Sequence, residues 1–219
     1  MSAARGPLTR VHLMRHGEVH NPTKVLYGRL PGFRLSDLGH EMARTGATWL
    51  TGRPAADITH LFVSPLERAR QTIAPLEAAT GLTATIDDRL LESTNVFEGG
   101  VVEFGPGAIK HPAMWWHIRN PFRPSWGEAY TEVVARMMAL VEEARAAAEG
   151  HEAVCVSHQL PVYVTRRGAE GRHLWHLPNR RQCALGSVTT LVYRGAALER
   201  VEYAEPSGPG PSKQGNVGA

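Results

Sequence analysis

Arg15-His16-Gly17-Glu18 directly follows the run Val11-His12-Leu13-Met14. An imidazole beside a guanidinium, where a strand gives way to a glycine turn, has the parts to attack an anionic phosphorus centre. The imidazole supplies a nucleophile and the guanidinium fork holds phosphoryl oxygens. The glycine lets backbone and ligand approach closely. The same four residues also describe a surface pair at a strand end, so the rest of the chain must choose between these readings.

Such a pair needs a rigid frame, and short apolar runs alternate with helical segments along the chain. Residues 11–14, 58–63, 153–157 and 187–193 read as strands, rich in β-branched or aliphatic side chains. The pattern predicts a helix over 36–50, with Ser36 as N-cap and Leu38, Met42 and Trp49 on its apolar side. A second helix starts at Ser64-Pro65-Leu66-Glu67, read as capping serine, first-turn proline and capping-box glutamate. Leu66, Ala69, Ile73 and Leu76 form its apolar face. A third helix spans 128–149, with Val133, Met137, Leu140 and Ala144 along one side. Strands and helices alternating in this way predict an α/β fold, a three-layer α/β/α sandwich around a mostly parallel sheet.

Residues 93–126 break this rhythm. Gly99-Gly100, Gly105-Pro106-Gly107, His111-Pro112, Asn120-Pro121 and Arg123-Pro124 oppose long regular elements there, yet Phe97, Phe104, Trp115, Trp116, Phe122 and Trp126 crowd the segment. A loop so loaded with aromatics predicts a lid or specificity insertion, helical or irregular, over the C-terminal edge of the strands. It could equally close a small auxiliary core or mediate contacts between copies. One domain over 1–204 is expected, followed by a Gly/Pro/Ser-rich tail, 205–219, expected to be disordered.

Composition narrows the function classes. The 219 residues are 42% hydrophobic and 21% charged, with a formal net charge of +3 and no clustered basic run. That pattern argues against a nucleic-acid partner and, with no apolar stretch of membrane length or secretory leader, against a membrane partner. Cys155 and Cys183 lack ligand spacing, and Cys155 lies in an apolar run as a buried thiol would. A cytoplasmic location is the default expectation. The eleven histidines show no paired metal-binding spacing, so no metal or other cofactor is expected.

Six blocks in order along the chain carry a resemblance. They are Arg15-His16-Gly17-Glu18, then Leu35-Ser36-Asp37-Leu38-Gly39-His40-Glu41-Met42-Ala43, and Ser64-Pro65-Leu66-Glu67-Arg68-Ala69-Arg70-Gln71-Thr72. Leu91-Glu92, Gly127-Glu128 through Arg136, and Val156-Ser157-His158-Gln159 complete the set. Together they resemble the histidine phosphatase superfamily, the phosphoglycerate-mutase-like fold. The resemblance implies a phosphohistidine intermediate on His16, cationic donors at Arg15, Arg68 and His158, and Glu92 as proton donor to the leaving alcohol. The elementary requirements agree: a neutral nucleophile, positive charge around the phosphoryl oxygens, and an acid. His16, Arg15, Arg68 and His158 each come from a strand end or a first helical turn, so these four groups can converge at one edge of the sheet.

Glu98, Asp87 and Asp88 are rival carboxylates for the acid. Asn21, Gln159, Glu18 and Glu98 are assigned to phosphate or substrate binding. Asn21 lies five residues beyond His16, where the family commonly has asparagine at six. The reading that follows is a phosphatase of small phosphomonoesters, with phosphoglycerate mutase and a non-catalytic phospho-ligand module as alternatives and a homodimer left open. Loss of a core histidine or arginine would favour the binding module, but the full set is present.

Overall fold

The protein is described by a computed structural model that covers residues 6–96, 98–100, 127–177 and 180–208. Most of the expected insertion (97 and 101–126) and of the expected tail (209–219) lies outside the described residues. The chain runs β1 (Leu8–Arg15), α1 (Asp37–Thr51), β2 (Ile58–Val63), α2 (Glu67–Thr80), β3 (Thr85–Ile86), α3 (Tyr130–Ala147), β4 (Glu152–Ser157), α4 (Gln159–Ala169), β5 (Val188–Arg194) and β6 (Ala197–Ala204). A single 3-10 turn, Asp88–Leu90, follows β3.

The six strands form one sheet in the order β3-β2-β4-β1-β5-β6. β1, β2, β3 and β4 pair in parallel, while β5 is antiparallel to both β1 and β6. The mostly parallel α/β sandwich expected from the sequence is what forms. Alternation along the strands splits the core into two layers. Val11, Leu13 and Cys155 pack with Val133, Met137, Leu140 and Ala144 of α3 and with Val162 and Val164 of α4. Met14, Val63, Val154 and Val156 turn to the other face and meet Leu50, Ala69, Ile73 and Leu76 of α1 and α2.

Register places the site. Arg15 pairs with Ser157, and Val63 pairs with Val156, so β1, β2 and β4 end at nearly the same level. The residue after each strand end therefore emerges at one edge: His16, Ser64 and His158. Backbone bonds extend the alignment one step further, from His16 N to Ser157 O at 3.1 Å and from Ser64 N to Val156 O at 3.0 Å.

Two local expectations are corrected. Ser64 does not cap α2, which begins at Glu67 with Leu66 at the N-cap position and no side-chain cap. The serine is held at the strand end instead, and its hydroxyl is engaged across the sheet edge. The inner face of α1 is Met42, Ala43, Gly46, Ala47 and Leu50, whereas Leu38 is exposed and Trp49 only partly covered. Ser36 does cap α1, accepting from Gly39 N at 3.0 Å. The close approach there requires glycine: a Cβ on Gly39 would sit 2.0 Å from the Glu18 carbonyl oxygen, and one on Gly17 would sit 2.5 Å from that of Gly39.

Three elements lacked a readable signal. Helix α4 starts directly behind His158 with Pro161 in its first turn, and its run of buried residues, Gln159 to Thr165, resembles a strand in composition. β3 is two residues long, and β6 is an edge strand dominated by charged and half-exposed residues.

Candidate active site

His16 is fully buried, and its Nδ1 lies 2.8 Å from the carbonyl oxygen of Gly17. A carbonyl can only accept, so Nδ1 carries the proton and the lone pair is left on Nε2. Nε2 is buried and has no hydrogen-bond partner among the described residues. Burial, reinforced by the Arg68 and Arg15 charges, pushes the pKa of His16 well below the usual 6.5. The ring is therefore a neutral, tautomer-fixed imidazole with an unengaged nucleophilic nitrogen.

His158 lies beside it, with ring centroids 5.2 Å apart. Its Nε2 is 2.8 Å from Ser64 Oγ. Ser64 Oγ also accepts a long bond from Leu66 N–H (3.5 Å), and its hydrogen and second lone pair can serve either tautomer of His158. Burial and the charge of Arg68 hold the pKa of His158 well below 6.5. Its Nδ1 has no partner among the described residues, and it carries the hydrogen in the tautomer in which Ser64 donates to Nε2.

Arg68 and Arg15 are among the largest fully buried side chains. Arg68 donates to the Gly28 carbonyl at 2.6 Å, and its guanidinium stands over the Tyr27 ring at 4.7 Å from the centroid. Its Nε has no partner among the described residues. Arg15 donates to the carbonyl of Cys183 at 2.7 Å. Arg68, a buried guanidinium held by a carbonyl and a ring face with its Nε unengaged among the described residues, can turn positive charge to an anionic ligand.

Glu92 is buried. Its Oε1 accepts from Ser93 N at 2.9 Å, and its Oε2 has no partner among the described residues. Burial raises its pKa above the usual 4.5, against the opposing pull of Arg68, Arg181 and Arg15. The carboxyl thus tends to keep its proton, as an acid must.

The other candidate residues sit elsewhere in the framework. Glu18 accepts from Ser36 Oγ at 2.5 Å, and its carbonyl takes Ser36 N–H, so it anchors the start of α1. Asn21 spends both ends of its amide on Val25, donating to the carbonyl at 2.8 Å and accepting from N–H at 3.1 Å. Gln159 accepts from Arg181 at 3.2 Å next to His158. Glu98 accepts from Asn95 N at 3.3 Å and packs its carboxyl against Gly28, while its charge is felt by Arg68. Asp87 pairs with Arg89 and caps the 3-10 turn, which removes it as a rival acid.

Several blocks prove to be fastenings. Thr72 Oγ1 accepts from Gly17 N at 3.1 Å and donates to the Arg68 carbonyl, joining the His16 turn to α2. Glu128 grips Arg136 at 2.7 and 3.0 Å and reaches Arg29 at 3.3 Å. Arg29 in turn donates to the Glu92 main-chain carbonyl at 2.5 Å.

Tyr27, Arg29, Ser64 and Arg181 are site residues that the sequence did not single out as such. Tyr27 and Arg29 lie in a loop without periodicity, and Ser64 was masked by its resemblance to a cap. Arg181 is one of two adjacent arginines with nothing nearby in sequence to mark it.

The chain is 52% identical over 199 residues to the uncharacterized protein Rv0525 of Mycobacterium tuberculosis strain H37Rv, covering 91% of this chain and 97% of that one. It is 27% identical over 205 residues to the probable phosphoglycerate mutase GpmB of Yersinia pestis, covering 90% and 86% of the two chains. Among solved structures, a mycobacterial glucosyl-3-phosphoglycerate phosphatase, Rv2419c, superposes with a TM-score of 0.69 at 24% identity, covering 90% of this chain and 98% of that one; the likeness is one of fold. The model of the histidine phosphatase superfamily (branch 1) matches residues 11–205, nearly the whole described chain, and this protein belongs to that family.

Proposed function

We propose that this protein is a metal-independent phosphomonoesterase that acts through a phosphohistidine on His16. The observation that carries the reading is the bare, buried Nε2 of a neutral imidazole whose other nitrogen is locked to Gly17. Arg15, Arg68 and His158 Nδ1–H hold the phosphoryl oxygens and offset the charge that builds on them. Nε2 attacks phosphorus, the phosphorus–ester oxygen bond breaks, and Glu92 gives its proton to the departing alcohol. Glu92, now a carboxylate, takes a proton from water as that water attacks the phosphohistidine. The phosphorus–nitrogen bond breaks, releasing inorganic phosphate and returning Glu92 to its acid form. The substrates are small phosphorylated metabolites, and the protein needs neither nucleic acid nor a membrane. Among the described residues, no helix is long and apolar enough to cross a membrane.

The likeness to a mutase keeps one competitor in view. The test is phosphate release from a panel of phosphomonoesters in EDTA, run beside isomerisation of 3-phosphoglycerate. Release that disappears in His16→Ala supports the esterase. Isomerisation without net release overturns it in favour of a mutase, and vanadate binding without turnover of any ester leaves a binding module.

A further inference from the structure

A third cation, half-buried, stands beside the phosphate cradle. Arg181 precedes Cys183, whose carbonyl holds Arg15. Its Nε donates to Nε2 of His176 at 2.9 Å and its terminal nitrogen to Oε1 of Gln159 at 3.2 Å, with Tyr130 as a further hydrogen-bond partner. His176 can only accept there, because its Nδ1 donates to the Leu174 carbonyl at 2.7 Å. Burial, with the Arg181 and Arg167 charges, holds the pKa of His176 down to about 4. The His176 ring is stacked on Tyr130 at 5.2 Å and set edge-on to Tyr163 at 4.7 Å, so this neutral acceptor is itself fixed.

Among the described residues, the three tethers of Arg181 are thus uncharged. Arg53, Arg89 and Arg136, by contrast, each pair with a carboxylate. A guanidinium keeps its charge, and burying one without a counter-ion is costly unless something negative arrives. Arg181 is within electrostatic reach of Glu92 and hydrogen-bonded to the neighbour of His158. That places it on the side where the ester oxygen departs. Resting on the phosphomonoesterase reading above, we propose that Arg181 selects phosphomonoesters whose alcohol part carries a second anionic group. A guanidinium edge serves either a carboxylate or a further phosphate there.

The test uses probes of one length that differ only in the tail: 2-phosphoglycolate, ethyl phosphate and phosphoethanolamine. Dissociation constants are measured by calorimetry on full-length His16→Ala, which cannot form the phosphohistidine. Phosphoglycolate should bind at least about tenfold more tightly than ethyl phosphate, and phosphoethanolamine more weakly than either. Adding Arg181→Gln should bring the first ratio close to one, while Arg181→Lys should retain part of it. Ethane-1,2-diol bisphosphate, run alongside, reports whether carboxylate or phosphate is the better second group. A parent ratio near one, a ratio that survives Arg181→Gln, or equal weakening of all probes would overturn the proposal. Turnover of p-nitrophenyl phosphate by the unaltered protein tests the esterase reading separately. Binding with the expected ratio but no phosphate release would sustain the subsite while defeating the hydrolase.

Discussion

His12 and His16 stand four residues apart on and just beyond one strand, both fully buried, yet only one has its hydrogen bonds complete. His12 lies 2.8 Å through Nδ1 from Thr190 Oγ1 and 3.3 Å through Nε2 from Glu152. Glu152 in turn takes ion pairs from Arg53 and Arg10. At the other end of the strand, His16 Nε2, His158 Nδ1, Arg68 Nε and Glu92 Oε2 all lack a described partner. Burial of polar groups is tolerated in the first cluster because the charges and donors are matched in place. In the second, on the reading proposed above, a tetrahedral anion completes the set. One cluster holds the sheet, and the other is the proposed phosphate cradle.

The contrast breaks first at His16. His16→Ala should lower phosphate release by at least about a thousandfold while leaving the melting temperature near that of the parent. His12→Ala should do the reverse, losing about 1–3 kcal/mol of stability in urea titrations. If His12→Ala abolished turnover in a fully folded protein, the division between the clusters would be wrong.

Glu152→Gln should cost up to roughly 3 kcal/mol, because it leaves the half-buried Arg10 and Arg53 without their buried carboxylate. Burial alone would raise the pKa of Glu152, but His12 and Arg53 overcome it and hold the value down to about 2, against an ordinary 4.5. Since the folded pKa is the lower one, this stabilisation is complete above pH 4.5 and fades as pH falls towards 2. Acid unfolding followed by circular dichroism should show that loss in the parent, and a flatter curve in Glu152→Gln would be its signature.

At the catalytic end the signs differ between groups. The His16 pKa is lowered, so the nucleophile stays neutral as pH falls through 6.5; the Glu92 pKa is raised, so the acid stays protonated above 4.5. Hydrolysis of alkyl phosphates should therefore persist below pH 6.5 and decline at higher pH as Glu92 ionises. Glu92→Gln should remove that decline and slow alkyl esters about a hundredfold more than p-nitrophenyl phosphate, whose leaving group needs less help. Equal slowing of both substrates would assign the acid to another residue.

The smallest effect is expected at Arg29, which meets Glu92 through its main-chain carbonyl rather than its carboxyl and is itself held by Glu128. Arg29→Gln should slow alkyl esters about tenfold with little change for the nitrophenyl ester, the mark of a displaced acid. Arg29→Lys should recover part of the loss. A drop that ignored the leaving group would reduce Arg29 to a structural tie.

Much of this was legible in the chain because it rests on local rules. Strand β2 was read with its observed ends, and Ser36 was read as the cap of α1, since cap and period are written in adjacent residues. His16, Arg15, Arg68, His158 and Glu92 were read from collinear blocks, and the structure gathers the first four with Glu92 in one electrostatic neighbourhood. Ser64 misled because a serine before Pro65 satisfies the local pattern of a cap, while the partner that claims its hydroxyl is 94 residues away. Asn21 has an amide that could donate to phosphate whereas Glu18 and Glu98 are carboxylates that only accept, and the hydrogen bonds of Asn21 and Glu18 serve loop closure and helix docking. Helix α4 escaped notice because its side chains are buried almost all round, leaving no polar face for the period to show against.

The amino-acid sequence alone determined which residues have the chemistry, and that an alternating α/β chain would bring strand ends and helix starts to one edge. Periodicity and capping are short-range, so they survive being read one residue at a time. Only the tertiary structure decided which nitrogen of His16 is bare, which histidine Ser64 serves, and that the tethers of Arg181 among the described residues are neutral. The Ser64–His158 bond spans 94 residues of chain and the Arg181–Gln159 bond 22, while the short His16–Gly17 tether is set by how the turn is packed. Burial then fixes their protonation, and burial is a property of the packed molecule rather than of any residue in it.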